Sequence, residues 1–299
     1  MTVRRTLALT GPLDLALTLR PLRHGPGDPT IRVARRDAGR ATRTPEGPAA
    51  MLVAVRPPVV EVEVWGPGAG WCLEHAPALL GLHDDRASFR PSHPTVRELH
   101  RRLQGLRVGR SVAVVEAIVP AIIEQKVTSA EAHRSWKELV RAWGDPAPGP
   151  CGLFLPPSPE ALASLPYHAF HRFGIERKRA DTIRRVCSYA HRLEEAATLA
   201  RDAARRRLLA LQGVGPWTAA IVEGTAFGDA DAVITGDYHL PHLVSWVLAG
   251  EPRSDDVRMI ELLEPYRGHR GRVLRLIVAG GGRPPRRHPH RRLRSITAI

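Results

Sequence analysis

The apolar residues of this chain change their spacing once, and that change limits which folds the chain can adopt. Between residues 5 and 65, apolar and polar residues alternate in short segments that Gly, Pro and Asp separate. This pattern predicts antiparallel strands joined by tight turns. From about Pro94 onwards, apolar residues recur at spacings of three and four, which predicts helices. We therefore expect an α+β fold, in which a small N-terminal antiparallel β-sheet domain precedes a larger all-helical domain. The strand candidates are TLALTG, LDLALTLR, TIRVAR, AAMLVAV and VVEVEVW.

Three regions follow from this division. Residues 1–90 should form the sheet domain, with a first helix near residues 76–82, and residues 91–280 should form the helical domain. A length of 299 residues is enough for two domains. Residues 281–299 contain six Arg and no acidic residue, so we expect a flexible or loosely attached basic tail. The helix candidates are VAVVEAIVPAIIEQKVTSAEAHRSWKELVRAW (one or two helices), PEALASL, ERKRADTIRRVCSYAHRLEEA, AARRRLLAL, PWTAAIVEGTAFG, YHLPHLVSWVLAG and DDVRMIELLEPYRGHRGRVLRLIVAG.

The chain carries a large excess of basic residues. Its 44 Lys and Arg outnumber its 30 Asp and Glu, which gives a formal net charge of +14. So basic a chain should bind polyanions, and nucleic acid is the commonest of these. Only Lys126, Lys137 and Lys178 are lysines, and a GC-rich genome could explain this preference for Arg. Genome composition does not explain the excess of bases over acids, so the charge favours nucleic-acid binding.

Cysteine usage and hydropathy limit the cellular setting. Cys72, Cys151 and Cys187 are at least 36 residues apart, so no pair has a metal-ligand spacing such as C-x-x-C. Three widely spaced cysteines also argue against a disulfide framework and fit a reducing compartment. No apolar run approaches the ~18 residues that a membrane-spanning helix needs, and the N-terminus lacks the features of a signal peptide. We expect a soluble protein of the bacterial cytoplasm, without a membrane partner.

The most informative segment for function is LQGVGPWTA, between two helix candidates. Gly213 and Gly215 flank Val214, and Pro216 suits the first position of a new helix. The two glycines permit a sharp turn and the close approach of another backbone. The new helix would present unpaired N–H groups with a partial positive charge, which is a fitting place for a DNA phosphate. An ordinary turn between two helices is the alternative explanation.

The full pattern L-x-G-V-G-P-W-T-A resembles the hairpin of the helix-hairpin-helix DNA glycosylases. The resemblance implies that Gly213, Gly215 and Thr218 contact DNA. It also implies that a monovalent cation is held by three backbone carbonyls of the hairpin, those of Leu209, Leu211 and Val214. Motifs that match this family extend over about residues 95–280, whereas residues 1–90 match it only by the presence of a sheet domain.

Asp237 is the candidate for the chemical step. A glycosylase breaks the bond between base and deoxyribose, and a carboxylate stabilises the oxocarbenium character that the sugar develops. The carboxylate can also orient or deprotonate the attacking water. Asp237 lies 22 residues after Gly215 and directly before Tyr238. In the family the essential Asp begins a helix about two dozen residues beyond the hairpin, and in the 3-methyladenine DNA glycosylase II branch a Tyr follows it. Helix capping alone is the alternative role for Asp237.

Trp217 distinguishes between the branches of the family. Bifunctional relatives carry a Lys at this hairpin position, which forms a Schiff base with the sugar, and Trp cannot do so. In the alkylbase branch, a Trp here lines the pocket for the flipped base and stacks on cationic alkylated purines. A role in the hydrophobic core is the alternative for Trp217. Endonuclease-type relatives often add a four-Cys iron–sulfur motif after the helical domain, whereas the last cysteine here is Cys187.

Three further segments match the family in part. PAIIEQKVTSAEA resembles the segment with Gln followed by a wedge residue, which would place Gln125 on DNA and Lys126 in the gap left by the extruded base. PYRGHRGRVLRL resembles the last pocket helix, with Tyr266 where Trp is expected. FHRFGIERKRADTIRRV resembles a Gly-x-x-x-Lys-Ala segment, in which Lys178 and Arg179 could meet phosphate or only water.

These features together predict a monofunctional DNA glycosylase that flips out alkylated purines of the 3-methyladenine type and excises them by hydrolysis. Its partner would be duplex DNA that contains damaged bases. We expect a monomer that requires no cofactor beyond the hairpin cation and has no iron–sulfur cluster. Two alternatives stay open: a non-catalytic helix-hairpin-helix DNA-binding protein, and a glycosylase for deaminated or oxidised bases. Asp237 argues against the first alternative, and Trp217 argues against the second without excluding uracil or hypoxanthine.

Overall fold

The N-terminal part of the computed structural model, which describes residues 2–284, is a five-stranded antiparallel sheet. The strands are β1 (Thr2–Ala8), β2 (Ile31–Val33), β3 (Asp37–Thr44), β4 (Gly47–Arg56) and β5 (Val59–Trp65). They lie in the order β1-β5-β4-β3-β2. Tight turns set the register, because Thr44 pairs with Gly47 and Arg56 pairs with Val59. The predicted sheet is therefore confirmed, with turns at TPEGP and RPP.

Each face of the sheet is covered by a different part of the chain. On one face, the buried valines of β5 pack with Leu79 of helix α2 (Ala69–Leu79). On the other face, Ala41 and Ala50 contact Leu153 and Leu155, which lie in the Pro- and Gly-rich loop of residues 144–158. Because alternate residues of a strand point to opposite faces, the sheet is buried on both sides.

The segment LDLALTLR, which alternates like a strand, forms one helical turn instead, α1 (Leu15–Thr18). The carboxylate of Asp14 accepts the N–H of Leu17 at 3.1 Å and caps this turn. Leu15 and Leu19, four residues apart, are both buried against the sheet. The strand prediction was wrong here because a short apolar run is compatible with both the helical and the strand period.

Strand β3 and helix α2 also differ from the predictions. The β3 sequence DAGRATRT is too polar to resemble a buried strand, yet Arg40 and Thr42 are buried. Both donate to the carboxylate of Glu116 in the helical part, Arg40 Nη2 at 2.9 Å and Thr42 Oγ1 at 2.8 Å. Helix α2 covers Ala69–Leu79 rather than residues 76–82.

The helical part begins at Pro94, where the spacing of apolar residues changes. Its helices are α3 (Pro94–Arg102), α4 (Val114–Ile123), α5 (Ser129–Trp143), α6 (Pro159–Ser164), α7 (Arg177–Ser188), α8 (Ala190–Glu194), α9 (Arg201–Leu209), α10 (Pro216–Thr225), α11 (Leu240–Ala249), α12 (Asp256–Leu263) and α13 (Arg270–Gly280). Every residue of α4 except Glu116 is buried, and α5, α7 and α10 pack around it. A helix that is apolar on all sides must lie at the centre of a core. The buried side chains around α4 are called the first helical core below.

A second helical core joins distant parts of the chain. Phe89, which precedes α3, packs with Met259, Leu263 and Leu274 of the last two helices. The predicted domain boundary after residue 90 directly follows a residue of this core, and the division into 1–90 and 91–280 stays a prediction. Of the basic tail predicted for 281–299, residues 285–299 lie outside the described residues. Between residues 2 and 284, no helix has the length and apolarity needed to cross a membrane.

Candidate active site

The hairpin LQGVGPWTA connects α9 to α10 through a turn in which Gly213 has a φ of 94°. Inside the turn, the N–H of Val214 donates to the carbonyl of Leu211 at 3.0 Å, and the Val214 side chain is buried in the first helical core. Helix α10 begins at Pro216, and no side chain in the described part of the chain caps its N-terminus. Its first backbone N–H groups are therefore available to an anion.

Gln125 fastens the hairpin to the end of α4. Its Nε2 donates to the carbonyl of Gly213 at 3.0 Å and to the hydroxyl of Thr218 at 2.9 Å. The Thr218 side chain is only 1% exposed, so its hydroxyl is engaged inside the protein. Gln125 and Thr218 thus hold the hairpin in place through their side chains, which is a different role from the direct DNA contact predicted for them.

Lys126 lies next to this attachment, in the turn between α4 and α5. Its φ is 59°, a left-handed conformation that residues with a Cβ adopt rarely. The side chain is exposed. Because Gln125 anchors the preceding residue to the hairpin, Lys126 is an exposed residue directly beside the candidate DNA-binding turn.

One face of α7 lies along the hairpin. A Cβ on Gly213 would lie 2.4 Å from the Thr182 hydroxyl, so only glycine fits this contact. Arg185 Nη1 donates to the carbonyl of Gln212 at 2.9 Å. Lys178, four residues before Thr182 on the same helix face, is exposed. The helix therefore places Lys178 on the face that borders the hairpin.

Arg179 has a structural role instead of the phosphate contact considered for it. Arg179 as a whole is only 4% exposed. Its guanidinium donates to the carbonyls of Ile123 at 2.5 Å and Gly174 at 3.0 Å. It also pairs with Glu176. A guanidinium that is buried and fully engaged cannot reach a DNA backbone. Arg179 joins α7 to the end of α4.

Asp237 lies before α11 and binds the start of that helix. Its Oδ1 accepts the N–H of His239 at 2.7 Å and the N–H of Leu240 at 2.9 Å. Both bonds reach the same oxygen, and no hydrogen bond among residues 2–284 reaches Oδ2. The capping role considered from the sequence is therefore present, and it leaves one carboxylate oxygen available for chemistry.

An exposed aromatic cluster follows Asp237. Tyr238 is 78% exposed, and its ring lies 5.0 Å from the His239 ring and 5.9 Å from the His242 ring. His242 is held in turn, because its Nδ1 accepts the N–H of Ser254 at 3.0 Å. An exposed phenol ring can stack on a planar ligand while its hydroxyl stays in water.

Asp256 reaches the residue before Asp237, a contact that the sequence analysis missed. Its Oδ2 accepts the N–H of Gly236 at 2.7 Å, across 20 residues of chain. The pair Asp255-Asp256 before VRMIELL resembles a helix start, and Asp255 alone caps α12, because its Oδ1 accepts the N–H of Arg258 at 3.0 Å. The presence of a second Asp directly after the capping Asp255 was the one feature of the sequence that could have indicated this contact.

The two other predicted pocket residues differ in their surroundings. Trp217 is half-buried at the start of α10, so part of its ring can meet a ligand. Tyr266 is only 5% exposed and packs in the second helical core, where its hydroxyl accepts the N–H of His93 at 3.2 Å. The prediction that Tyr266 lines a substrate pocket does not agree with this position, because its ring is surrounded by core side chains.

The structure thus brings the predicted site residues together in two groups. Gln125, Lys126 and Lys178 surround the hairpin, whereas Asp237 and Tyr238 lie at the start of α11, outside the first helical core. The three carbonyls predicted for a cation belong to the first group. The Leu211 carbonyl accepts one hydrogen bond, from the N–H of Val214, and a carbonyl oxygen has a second lone pair. The cation site formed by the three carbonyls stays a prediction.

Comparisons with known proteins bear on both groups. Residues 119–267, which contain the hairpin and Asp237, match the family model of the HhH-GPD superfamily of base excision DNA repair proteins. The "Probable bifunctional transcriptional activator/DNA repair enzyme AlkA" of Mycobacterium tuberculosis is 34% identical over 157 residues, which are 49% of this chain and 30% of that protein. The "Putative DNA-3-methyladenine glycosylase YfjP" of Bacillus subtilis is 24% identical over 161 residues, 52% of this chain and 55% of that protein.

The chain therefore spans less than two thirds of the length of either curated relative. Among solved structures, the 3-methyladenine DNA glycosylase from Archaeoglobus fulgidus superimposes with a TM-score of 0.77. The superposition covers 92% of this chain and 97% of that one, at 22% sequence identity. At this identity the likeness concerns the fold, and it includes the N-terminal sheet as well as the helical part.

Proposed function

The chain belongs to the HhH-GPD superfamily of base excision DNA repair proteins, and from this premise we propose that it is a monofunctional DNA glycosylase for alkylated purines. In this proposal, the protein binds duplex DNA, flips the damaged base out of the stack and hydrolyses its bond to deoxyribose. The names of the two curated relatives, a DNA repair enzyme AlkA and a 3-methyladenine glycosylase, support this substrate class.

The observation that carries the proposal is the state of the Asp237 carboxylate. Oδ1 is held by two backbone N–H groups, which fixes the orientation of the side chain. Oδ2 is left to face the anomeric carbon as positive charge develops on the sugar. The same oxygen can orient the attacking water. Because an alkylated purine already carries positive charge, it leaves without the general acid that O-glycosidases use.

DNA binding is assigned to the hairpin and the residues beside it. The uncapped N-terminus of α10 would receive a phosphate, with Lys178 and Lys126 as further positive charges. Lys126 would also fill the gap that the flipped base leaves. If the three hairpin carbonyls hold a monovalent cation, it would add positive charge at the same place.

The absence of lyase activity is inferred from the aromatic residues. Trp217 occupies the hairpin position where a Schiff-base Lys would have to be, and an indole has no amine to form that bond. Trp217 and the exposed Tyr238 are electron-rich rings suited to stacking on a cationic base.

A panel of damaged duplexes tests the reaction. We expect abasic sites in duplexes with 3-methyladenine or 7-methylguanine, and none with 8-oxoguanine. Alkali should be required to nick the product strand. Nicking without alkali would contradict the monofunctional assignment, and excision of uracil or hypoxanthine alone would move the substrate to deaminated bases.

The variant Asp237→Asn separates an enzyme from a DNA-binding protein. Asn keeps an oxygen that can accept both N–H bonds, so the start of α11 should stay intact. We expect base release to fall by about 10²- to 10³-fold, a loss typical of removing a key stabilising group. Affinity for duplex DNA should stay within about twofold. The control Asp202→Asn, at an exposed position of α9, should behave as wild type. Undiminished release by Asp237→Asn would remove Asp237 from the chemistry.

A further inference from the structure

We propose that Asp256 is a positioning residue for the reaction, which acts on Asp237 by holding the N–H of Gly236. The proposal rests on the proposed function, because it assumes that Asp237 carries the chemistry. It assigns a role to the start of α12, a helix that begins 20 residues after Gly236.

The segment that carries Asp237 is not held by packing. A Cβ added to Gly236 would have no atom within 4 Å, and the φ of Gly236 is 81°. Tyr238 is 78% exposed. The contacts of Asp237 itself, to His239 and Leu240, are local to the start of α11. A glycine in open space has many backbone conformations, so this segment needs a fixed point on its N-terminal side.

Asp256 supplies that fixed point. The bond from Gly236 N to Asp256 Oδ2 is 2.7 Å long and involves a charged acceptor, so it belongs to the strong class of hydrogen bonds. It restrains the Thr235–Gly236 peptide, one residue before Asp237, whereas the bonds made by Oδ1 of Asp237 restrain the residues after it. The chain is thus restrained both before and after Asp237. Helix α12 restrains the N-terminal side, which would otherwise be free.

Asp256 lies in the first turn of α12, where a carboxylate favours the helix, but it does not make the capping hydrogen bond. The N-cap of α12 is Asp255, which accepts the N–H of Arg258. Asp256 Oδ1 is buried and has no hydrogen-bond partner in the described part of the chain. A buried carboxylate oxygen without a partner is costly and needs an explanation. The bond from Gly236 goes to the other oxygen, Oδ2, and gives a reason to keep the carboxylate at this place although Oδ1 has no partner among residues 2–284.

The test compares Asp256→Ala, Asp256→Asn and Asp255→Ala in the full chain, with single-turnover excision of methylated purine at saturating enzyme. Displacing a catalytic group by about 1 Å can cost about 10²-fold in rate. We therefore expect Asp256→Ala to lower the maximal rate by about 10- to 100-fold. Affinity for duplex DNA should change by less than about threefold.

The other two variants exclude a merely structural effect. Asp256→Asn keeps an acceptor oxygen but removes the charge, so its rate should stay within about threefold of wild type. Asp255→Ala removes the cap of α12 and should lower the melting temperature without a comparable loss of rate. Each variant is therefore compared by rate, DNA affinity and melting temperature.

Three results would overturn the inference while leaving the proposed function in place. They are a normal rate for Asp256→Ala, a loss in Asp256→Asn as large as in Asp256→Ala, and an equal loss of rate in Asp255→Ala. If the wild-type chain released no base from any methylated duplex while still binding DNA, the proposed function itself would fail, and the inference with it. The wild-type rate on methylated DNA therefore distinguishes the two failures.

Discussion

Gly213 and Gly215 are two residues apart and resemble each other in the sequence, yet they are glycine for different reasons. Gly213 has a positive φ, and any Cβ would collide with Thr182. Gly215 has an extended conformation with φ −102°, and a Cβ there would have no atom within 4 Å. The fold therefore requires glycine at 213 but not at 215. The remaining reason for glycine at 215 is the close approach of an external backbone.

Alanine substitutions should separate these two reasons. Gly213→Ala forces a left-handed conformation and a clash, so we expect the free energy of unfolding to fall by about 1–3 kcal/mol. Gly215→Ala should change it by less than about 0.5 kcal/mol and should weaken duplex DNA binding by about tenfold, since the methyl group would meet the phosphate backbone. Urea unfolding and fluorescence anisotropy measure the two effects. DNA binding by Gly215→Ala at the wild-type level would show that DNA does not approach this residue.

Single residues were predictable where their role follows from neighbours in the chain. The turn at Gly213, Pro216 at the start of α10 and the capping position of Asp237 depend on residues within one turn, whereas the contact between Gly213 and Thr182 does not follow from spacing. The roles of Asp256 and Arg185 depend on partners 20 and 27 residues away, which spacing does not reveal. The pocket position predicted for Tyr266 disagrees with the structure for a related reason. The residues that bury Tyr266 belong to other helices and to the segment near Phe89.

At the scale of elements, the central helix α4 takes its N-terminal cap from another helix. Ala113 offers no side-chain acceptor, and Glu194 at the end of α8 accepts the N–H groups of Val114 at 2.8 Å and Val115 at 2.9 Å. Burial, with a smaller contribution from the nearby Glu116, raises the pKa of Glu194 to about 7 against the lowering effect of these two bonds. The carboxylate thus caps α4 from a position where its charged form is disfavoured.

This burial predicts a pH dependence of stability. The pKa of Glu194 is higher in the folded chain than in the unfolded chain, so the folded state binds the proton more tightly. The stability that protonated Glu194 contributes is complete below the pKa of the unfolded chain and is lost as pH rises through about 7. Between pH 4.5 and 8, we expect the wild type to lose up to about 3 kcal/mol from this group. Glu194→Gln should lack this part of the decline.

Urea unfolding at several pH values measures the difference between the two proteins. Gln at position 194 cannot titrate and keeps only one acceptor oxygen, so it should be less stable than wild type at low pH but flatter with pH. The exposed control Glu138→Gln should follow the wild-type curve. Identical pH profiles for wild type and Glu194→Gln would contradict the assignment.

A helix or strand was predictable from the sequence when the spacing of its own apolar residues indicates its secondary structure. The long helices and β5 carry their own periodicity and were found. Strand β3 carries a polar pattern, because Arg40 and Thr42 face Glu116, which lies more than 70 residues later in the chain. Its place in the sheet is set by this partner, and no local propensity could indicate it.

At the scale of the whole molecule, a buried ion pair connects the end of the N-terminal part to the last helix. Arg272 of α13 and Asp84 are 2% and 3% exposed, and the two guanidinium nitrogens lie 2.9 and 2.5 Å from the carboxylate oxygens. The same carboxylate accepts the N–H of Val108 at 3.0 Å. Beside it, Phe89 packs in the second helical core. These contacts join residues almost 190 positions apart, so the sheet part and the helical part should unfold as one unit.

Removing one partner of this pair tests that expectation. Asp84→Ala leaves a buried guanidinium unpaired, so we expect a loss of about 3–5 kcal/mol in the free energy of unfolding. The double variant Asp84→Ala/Arg272→Met removes the charge as well and should recover part of the loss. The control Glu98→Ala breaks the exposed pair with Arg101, which solvent screens, and should change stability far less than Asp84→Ala. Urea unfolding followed by circular dichroism and by tryptophan fluorescence should give coincident transitions in the wild type. Separate transitions in the wild type, or a double variant less stable than Asp84→Ala, would show that the pair does not couple the two parts in this way.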